Sequence, residues 1–265
     1  MPGVDAPHWP GWAHDQRTAD YWTGRLGDEL GKVLTQSRAE KIARDYAATN
    51  PGPRDGRTDA ELTALAFAWL ATQGLSFSPA IAAALKGIRT DGALIGAASA
   101  HALLNGRKTA DLGGWKPGRT EAATGLLAGY DPGADPGEWA LHDNDSAVQG
   151  ITDTRCKHIA RALALGTAAS LPAAAIGSKM RDALAMGLKA VAFYEIVSAV
   201  SNAAMTLFRR NSVQMGQWAT SRASKPCPMC ISNAASAPRP LGQPWPSGHT
   251  NTPGHPGCNC AIIPA

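Results

Sequence analysis

Four of the chain's five cysteines fall in residues 227–260, as the pair Cys227-Pro228-Met229-Cys230 and the run His255-Pro256-Gly257-Cys258-Asn259-Cys260. Zinc takes four thiolate or imidazole ligands in a tetrahedron at about 2.0–2.3 Å, and a C-x-x-C turn supplies two because it brings both sulfurs to one side. Pro228 stiffens that turn. His255 and Cys258 repeat the spacing and form a second half-site of the same shape. Cys260 is a competing donor, since residues i and i+2 of an extended segment face the same side. Two ligand sets are open: Cys227, Cys230, His255 and one of Cys258 or Cys260; or all four cysteines with His255 as an outer neighbour.

A disulfide pair is the competing reading of the same thiols, and synthesis in a reducing compartment favours metal over it. A redox-active C-x-x-C needs a helix N-terminus in a βαβ unit, which the pattern does not predict here. Catalytic zinc keeps a position for water and uses a nearby carboxylate as base. No Asp or Glu follows Glu195, and the donors already saturate a tetrahedron. The expected role is therefore a structural staple: a Pro-rich segment with little apolar content cannot bury a core, and metal binding supplies the folding free energy instead. His249 is expected to be solvated, Cys156 to act as a small buried hydrophobe, and Glu195, Ser198 and Asn202 to form a polar seam on one helix face. No nucleophile elbow, P-loop, zincin or dinucleotide fingerprint occurs. The chain reads as a non-enzyme with no small-molecule substrate.

The formal charge of +4 conceals an asymmetry. Residues 1–200 carry 20 Lys or Arg against 21 Asp or Glu, whereas residues 201–265 carry Arg209, Arg210, Arg222, Lys225 and Arg239 and no acid. These five are the candidate contacts to nucleic acid or an acidic partner, though they make a sparse footprint. The N-terminus lacks the basic-then-apolar pattern of a signal peptide, so synthesis is expected to end in the cytoplasm. The uncharged run 162–178 is broken by Pro172, and no membrane span is expected.

The elements that must position the cysteines are mainly helical. Three- and four-residue apolar steps predict one long helix or two abutting ones over 18–48, a helix capped by Thr58 and Asp59 running to Gln73, one opening at Ser78-Pro79 toward Leu85, and another over 90–104. Gly, Pro and Asp crowd residues 105–144 around at most a short helix over 121–127. Helices follow over 146–165, from Pro172, and over about 178–210, the strongest apolar repeat of the chain. Beyond Asn211 the helical period ends. VQMGQWAT (213–220) alternates as a short strand, and NCAIIPA at 259–265 could pair with it. The expected organisation is a helical region 1–145, a helical region 146–212 ending in the long helix, and a metal-binding module 213–265 of short strands and loops.

These landmarks, in order, resemble the phage Mu F-type minor head proteins, also called phage head morphogenesis proteins, particularly the forms in phages of actinobacteria. The resemblance rests on Trp115-Lys-Pro-Gly118, on VQGITDTRCKHIARALALG (148–166), on the long helix with Glu195, on the aromatic strand Gln217–Thr220, and on C-P-x-C closing with H-P-x-C-x-C. It covers residues 148–265; residues 1–145 match only in helical character. The chain departs from the family pattern at Tyr194, Ser198 and Asn259, where Thr, Arg and Arg are usual. All cysteines of the motif and His255 are retained. The resemblance implies a virion structural protein made in the host cytoplasm, placed inside the head near the portal, with portal protein, major capsid protein and packaged DNA as partners. Some relatives carry a toxin or enzyme domain after the metal motif; the chain's end five residues past Cys260 makes none expected here.

Overall fold

The structure is a computed structural model that describes residues 9–50, 56–130, 144–220 and 226–265. It is mainly helical with a small three-stranded sheet near the C-terminus. The elements are α1 (Trp12–Val33), α2 (Gln36–Thr49), α3 (Asp59–Ala71), α4 (Ser78–Leu104), α5 (Thr120–Tyr130), α6 (Asn144–Ala168), α7 (Ala173–Ala185), α8 (Leu188–Arg210), β1 (Met215–Thr220), α9 (Pro228–Ala235), β2 (Arg239–Pro240) and β3 (Cys260–Pro264). The described residues form two compact units, one drawn from 1–23, 85–142 and 189–265 and the other from 24–84 and 143–188. The metal module falls in the same unit as α8, and residues 1–145 contribute to both units.

Local chemistry explains most element ends. Thr35 caps α2, its side chain accepting from the Arg38 N–H, which parts the 18–48 stretch into two helices. Thr58 and Glu61 form a reciprocal capping box at the start of α3, satisfying two N–H groups the helix would leave orphaned. Two expectations are corrected. The helices predicted at 78–85 and 90–104 are one: Gly87 between them is no breaker but the seat of the Trp22 ring, where a Cβ would lie 2.1 Å from Trp22 Cη2. Conversely, the helix predicted over 178–210 is two. Gly187 adopts φ +76°, a left-handed conformation that ends α7, and Arg155, itself buried, donates to the carbonyl of Met186 beside it.

In the unit containing residues 24–84 and 143–188, α6 packs on α3 and α7, and α2 packs on α7. Gly166 sits against Ile176 and Gly177 against Glu40, close enough that a Cβ would crowd either neighbour. Tyr46 and Trp69 meet edge to face with centroids 5.2 Å apart. Cys156 is half-buried and lines a small apolar cavity of about 60 Å³ with Phe67, Leu70 and Ile159, consistent with a hydrophobe's role.

The other unit is built around the close approach of α4 and α8. Gly92 and Gly96, one turn apart on α4, face Ile196, Ala199 and Val200 of α8 with no room for a side chain between them. Ala93, Ala97, Leu127 and Ala203 bury together beside this seam, and Tyr130 covers them. Across α4, Asp91 is fully buried and its Oδ2 accepts from the Trp22 indole N–H and from the Gly118 N–H, each at 2.7 Å. The WKPG segment is thereby pinned to α1 and α4.

By length and composition the run Ala173–Arg210 would suffice to cross a membrane. Gly187 divides it, and Phe193, Ile196, Val200 and Phe208 of α8 are buried as in the core helix of a globular fold. α8 ends at Arg210 in a Schellman turn: Val213 N–H bonds to Phe208 C=O at 3.0 Å and Ser212 N–H to Arg209 C=O at 3.1 Å. Ser212 takes the left-handed position, φ +58°, usually given to glycine. This turn delivers the chain into β1.

Candidate metal centre

β1 is the middle strand of the sheet β2–β1–β3, antiparallel to both neighbours. It pairs with the C-terminal segment from Gly216↔Pro264 to Thr220↔Cys260, the pairing expected of the two stretches. Gly216 lacks a side chain where Ile262 and Leu241 close over it. Cys227 then caps α9, its Sγ accepting from the Cys230 N–H at 3.4 Å, with Pro228 at the first helical turn. The C-x-x-C therefore opens a helix, not the loop expected. The sheet around it is antiparallel, so the βαβ unit that redox chemistry would use is not found among the described residues. The second half-site is a tight turn in which Cys258 N–H bonds to His255 C=O at 3.0 Å before β3 begins.

These two turns bring all five predicted donors together. Cys227 Sγ lies 3.1 Å from His255 Nε2, Cys230 Sγ 3.6 Å from the same nitrogen, and Cys230 Sγ 3.7 Å from Cys258 Sγ. Cys227, Cys230 and His255 form one triad with all donor atoms within 4.8 Å, and Cys230, Cys258 and Cys260 form another; Cys230 belongs to both. None of the five cysteines is in a disulfide. A tetrahedral ion bound at the usual sulfur and imidazole distances has edges of about 3.8 Å between sulfurs and 3.6 Å from sulfur to nitrogen. The Cys230–Cys258 and Cys230–His255 separations match those edges, while Cys227 and His255, at 3.1 Å, stand closer than the edge and would part slightly around an ion. The cluster fits a metal ion.

The electrostatics of the five groups are mutually coupled. The Cys230 N–H holds the Cys227 thiol below its ordinary range. Burial pushes Cys230 up to about 12. Cys258 is drawn down to about 5, first by the thiol of Cys260 and then, against its own burial, by the Gly254 backbone. Cys260 moves the other way, raised by the same contact with Cys258 and by burial. His255 is raised, chiefly by the Pro256 carbonyl that its Nδ1 meets at 2.9 Å. That contact requires the proton on Nδ1, so in the neutral ring the Nε2 lone pair faces the sulfurs, the tautomer a metal-ligating imidazole needs.

Around the donors lies a set of polar clamps that spacing did not reveal. Asn233, fully buried, donates to Ser247 Oγ at 2.9 Å and accepts the Ser247 N–H at 3.1 Å, fixing the long loop to α9. Gln217 Nε2 donates to the carbonyls of Ala234 and Ser236, closing the C-terminus of α9 onto β1. Ser201 of α8 reaches Asn251 Oδ1 and Thr252 Oγ1, each at 2.6 Å, and Asn202 accepts from Asn251 at 3.0 Å. Trp218 and Trp245 meet edge to face with centroids 5.6 Å apart and form the module's small apolar floor. Asn202 thus has the polar-seam role expected of it. His249 contacts Ser247 and belongs to neither metal triad.

Glu195 finds its partner in Arg89, 106 positions earlier, with both Nε and a terminal guanidinium nitrogen 2.9 Å from Oε2. The candidate basic contacts are only partly brought together. Arg209 and Arg210 are exposed at the end of α8, with Arg209 beside Gly242. Arg239 is half-buried and donates to the Pro244 carbonyl in the same loop. Arg222 and Lys225 lie outside the described residues. Comparison of the chain with family models, curated proteins and solved structures finds no match.

Proposed function

We propose that the chain is a structural, non-enzymatic minor capsid protein of a tailed phage that uses zinc to clip its C-terminal module. The observation that carries the reading is the succession of α8, the aromatic strand β1, the C-P-x-C helix start and the H-P-x-C-x-C turn into β3. The same order marks the Mu F-type minor head proteins. Zinc is favoured by the donor chemistry: three or four thiolates with an imidazole, on rigid turns, and no carboxylate after Glu195 to serve as a base. In this reading the protein is made in the host cytoplasm, joins the inside of the head near the portal vertex, and contacts portal and major capsid proteins during head assembly or genome delivery. Reconstruction of the virion without imposed symmetry, combined with cross-linking, tests it. Density and cross-links at the portal vertex are expected; a protein absent from virions or confined to their exterior overturns the proposal.

The charge asymmetry favours a second reading, a zinc-ribbon-like module that binds nucleic acid through Arg209, Arg210, Arg222, Lys225 and Arg239. Phosphate contacts release counterions, so DNA affinity would fall steeply with salt. Absence of binding at low salt disposes of it.

A further inference from the structure

We infer that a single tetrahedral ion is held by Cys227, Cys230, Cys258 and Nε2 of His255, and that Cys260 stays off the metal as a positioning residue behind Cys258. The inference rests on the metal-module reading and deepens it.

Three observations carry it. First, His255 is oriented as a ligand and not as an outer neighbour. Its Nδ1 can meet the Pro256 carbonyl at 2.9 Å only as a donor, so the nitrogen left for a metal is Nε2, which stands 3.1 Å from Cys227 Sγ and 3.6 Å from Cys230 Sγ and presents a lone pair in the neutral ring. An outer histidine would instead offer an N–H to a ligand atom. Second, the two half-sites space their donors alike, although one is a helix start and the other a backbone turn. Cys227 and Cys230 share one turn, in which the Cys230 N–H meets the Cys227 sulfur; His255 and Cys258 share another, closed by the Cys258 N–H on the His255 carbonyl. Each turn presents two donors three residues apart. Third, the backbone of Cys260 is fixed in the sheet, although its sulfur stands in the triad with Cys230 and Cys258. It is paired with Thr220 in the β1–β3 ladder and buried beside Trp218. Cys258 precedes the ladder and already stands one tetrahedral edge, 3.7 Å, from Cys230. An ion seated on Cys227, Cys230 and His255 draws in Cys258 across that edge, while the ladder holds Cys260 back.

Cobalt(II) replacing zinc in the full chain tests the assignment, because each thiolate adds charge-transfer absorption. Expected are one cobalt per chain and, at saturation, unchanged charge-transfer intensity in Cys260→Ser, whose affinity falls about 10-fold as for an outer partner. Cys258→Ser should lose roughly one third of the intensity, one thiolate of three, and His255→Cys should gain about as much. Because a variant can fail to fold, X-ray absorption of the zinc-loaded wild type provides an unmutated readout, with three sulfurs and one nitrogen expected. Four sulfurs, or intensity lost in Cys260→Ser and kept in Cys258→Ser, overturns the ligand set. Wild-type protein that binds no cobalt or zinc overturns the metal-module reading itself, a distinguishable failure.

Discussion

Gly96 of α4 lies directly against the carbonyl of Val200 in α8: a Cβ at Gly96 would stand 2.1 Å from that oxygen and 2.8 Å from its carbon. The obstacle is backbone, which cannot rotate away. Gly96→Ala therefore forces the two helices apart and is expected to cost about 3 kcal/mol, the upper range for overpacking. Gly150→Ala in α6, where a Cβ meets nothing within 4 Å, is the control and should stabilise by about 0.5–1 kcal/mol. Urea denaturation midpoints separate the two; equal effects would show that α4 and α8 are not in contact at Gly96.

Asp91 sets a pH dependence. Burial raises its carboxyl to about 6 from an ordinary 3.8, against the opposing hydrogen bonds from Gly118 and Trp22. The folded state thus binds this proton more tightly than the unfolded state, so the stability it contributes is full below about pH 4 and is lost as pH rises through 6. The span corresponds to about 3 kcal/mol. Buried Asp15 is raised in the same direction, also by burial. Asp91→Asn keeps an oxygen for Trp22 and Gly118 without the charge. Between pH 4 and 7 its unfolding free energy should fall less than that of the wild type; parallel curves would contradict the shift.

The Arg89–Glu195 pair is largely withdrawn from solvent, with side chains 10% and 13% exposed. Glu195→Ala removes the carboxylate that both Arg89 nitrogens share and should cost about 3 kcal/mol. Replacing both, as Arg89→Met with Glu195→Leu, should cost less than the single change. Denaturation of the two variants gives the comparison, and an additive double mutant would refute it.

Chelation tests the staple. With a tight chelator, the near-ultraviolet circular dichroism of Trp218 and Trp245 should collapse while most of the far-ultraviolet helical signal persists. Elemental analysis of protein purified without added metal should give about one zinc per chain in the wild type and well under one in Cys227→Ser or Cys258→Ser, whose weakened sites fill only when metal is supplied in excess. Persistence of the tryptophan signal after complete metal loss would mean that the module folds without the ion.

The metal donors were legible because coordination imposes spacing: two donors three residues apart twice over, closed by a strand whose alternation could be read. Helices were legible where an apolar face repeats. Glycine misled in both directions, because its role depends on what approaches it. Gly87 looks like a break yet accepts the Trp22 ring, while Gly187 passes unnoticed within a strong repeat yet takes the left-handed turn that ends α7. The partner of Glu195 was hidden for a different reason: an ion pair across 106 positions leaves no local trace. Ser201, Gln217 and Asn233 were hidden likewise, as single polar residues whose partners, a side-chain amide and hydroxyls on the long loop or carbonyls at the end of α9, lie 14 to 51 positions away.

β1 precedes every metal donor in the chain and yet forms the centre of the sheet, flanked by β2 and β3. That placement fixes how the module can be grafted onto another scaffold. A cut between Thr220 and Cys227 would keep all five donors and discard the strand that carries Trp218 and Gln217. A portable graft has to begin no later than Val213, and its acceptor site has to be a helix end able to replace the serine and asparagine contacts of α8.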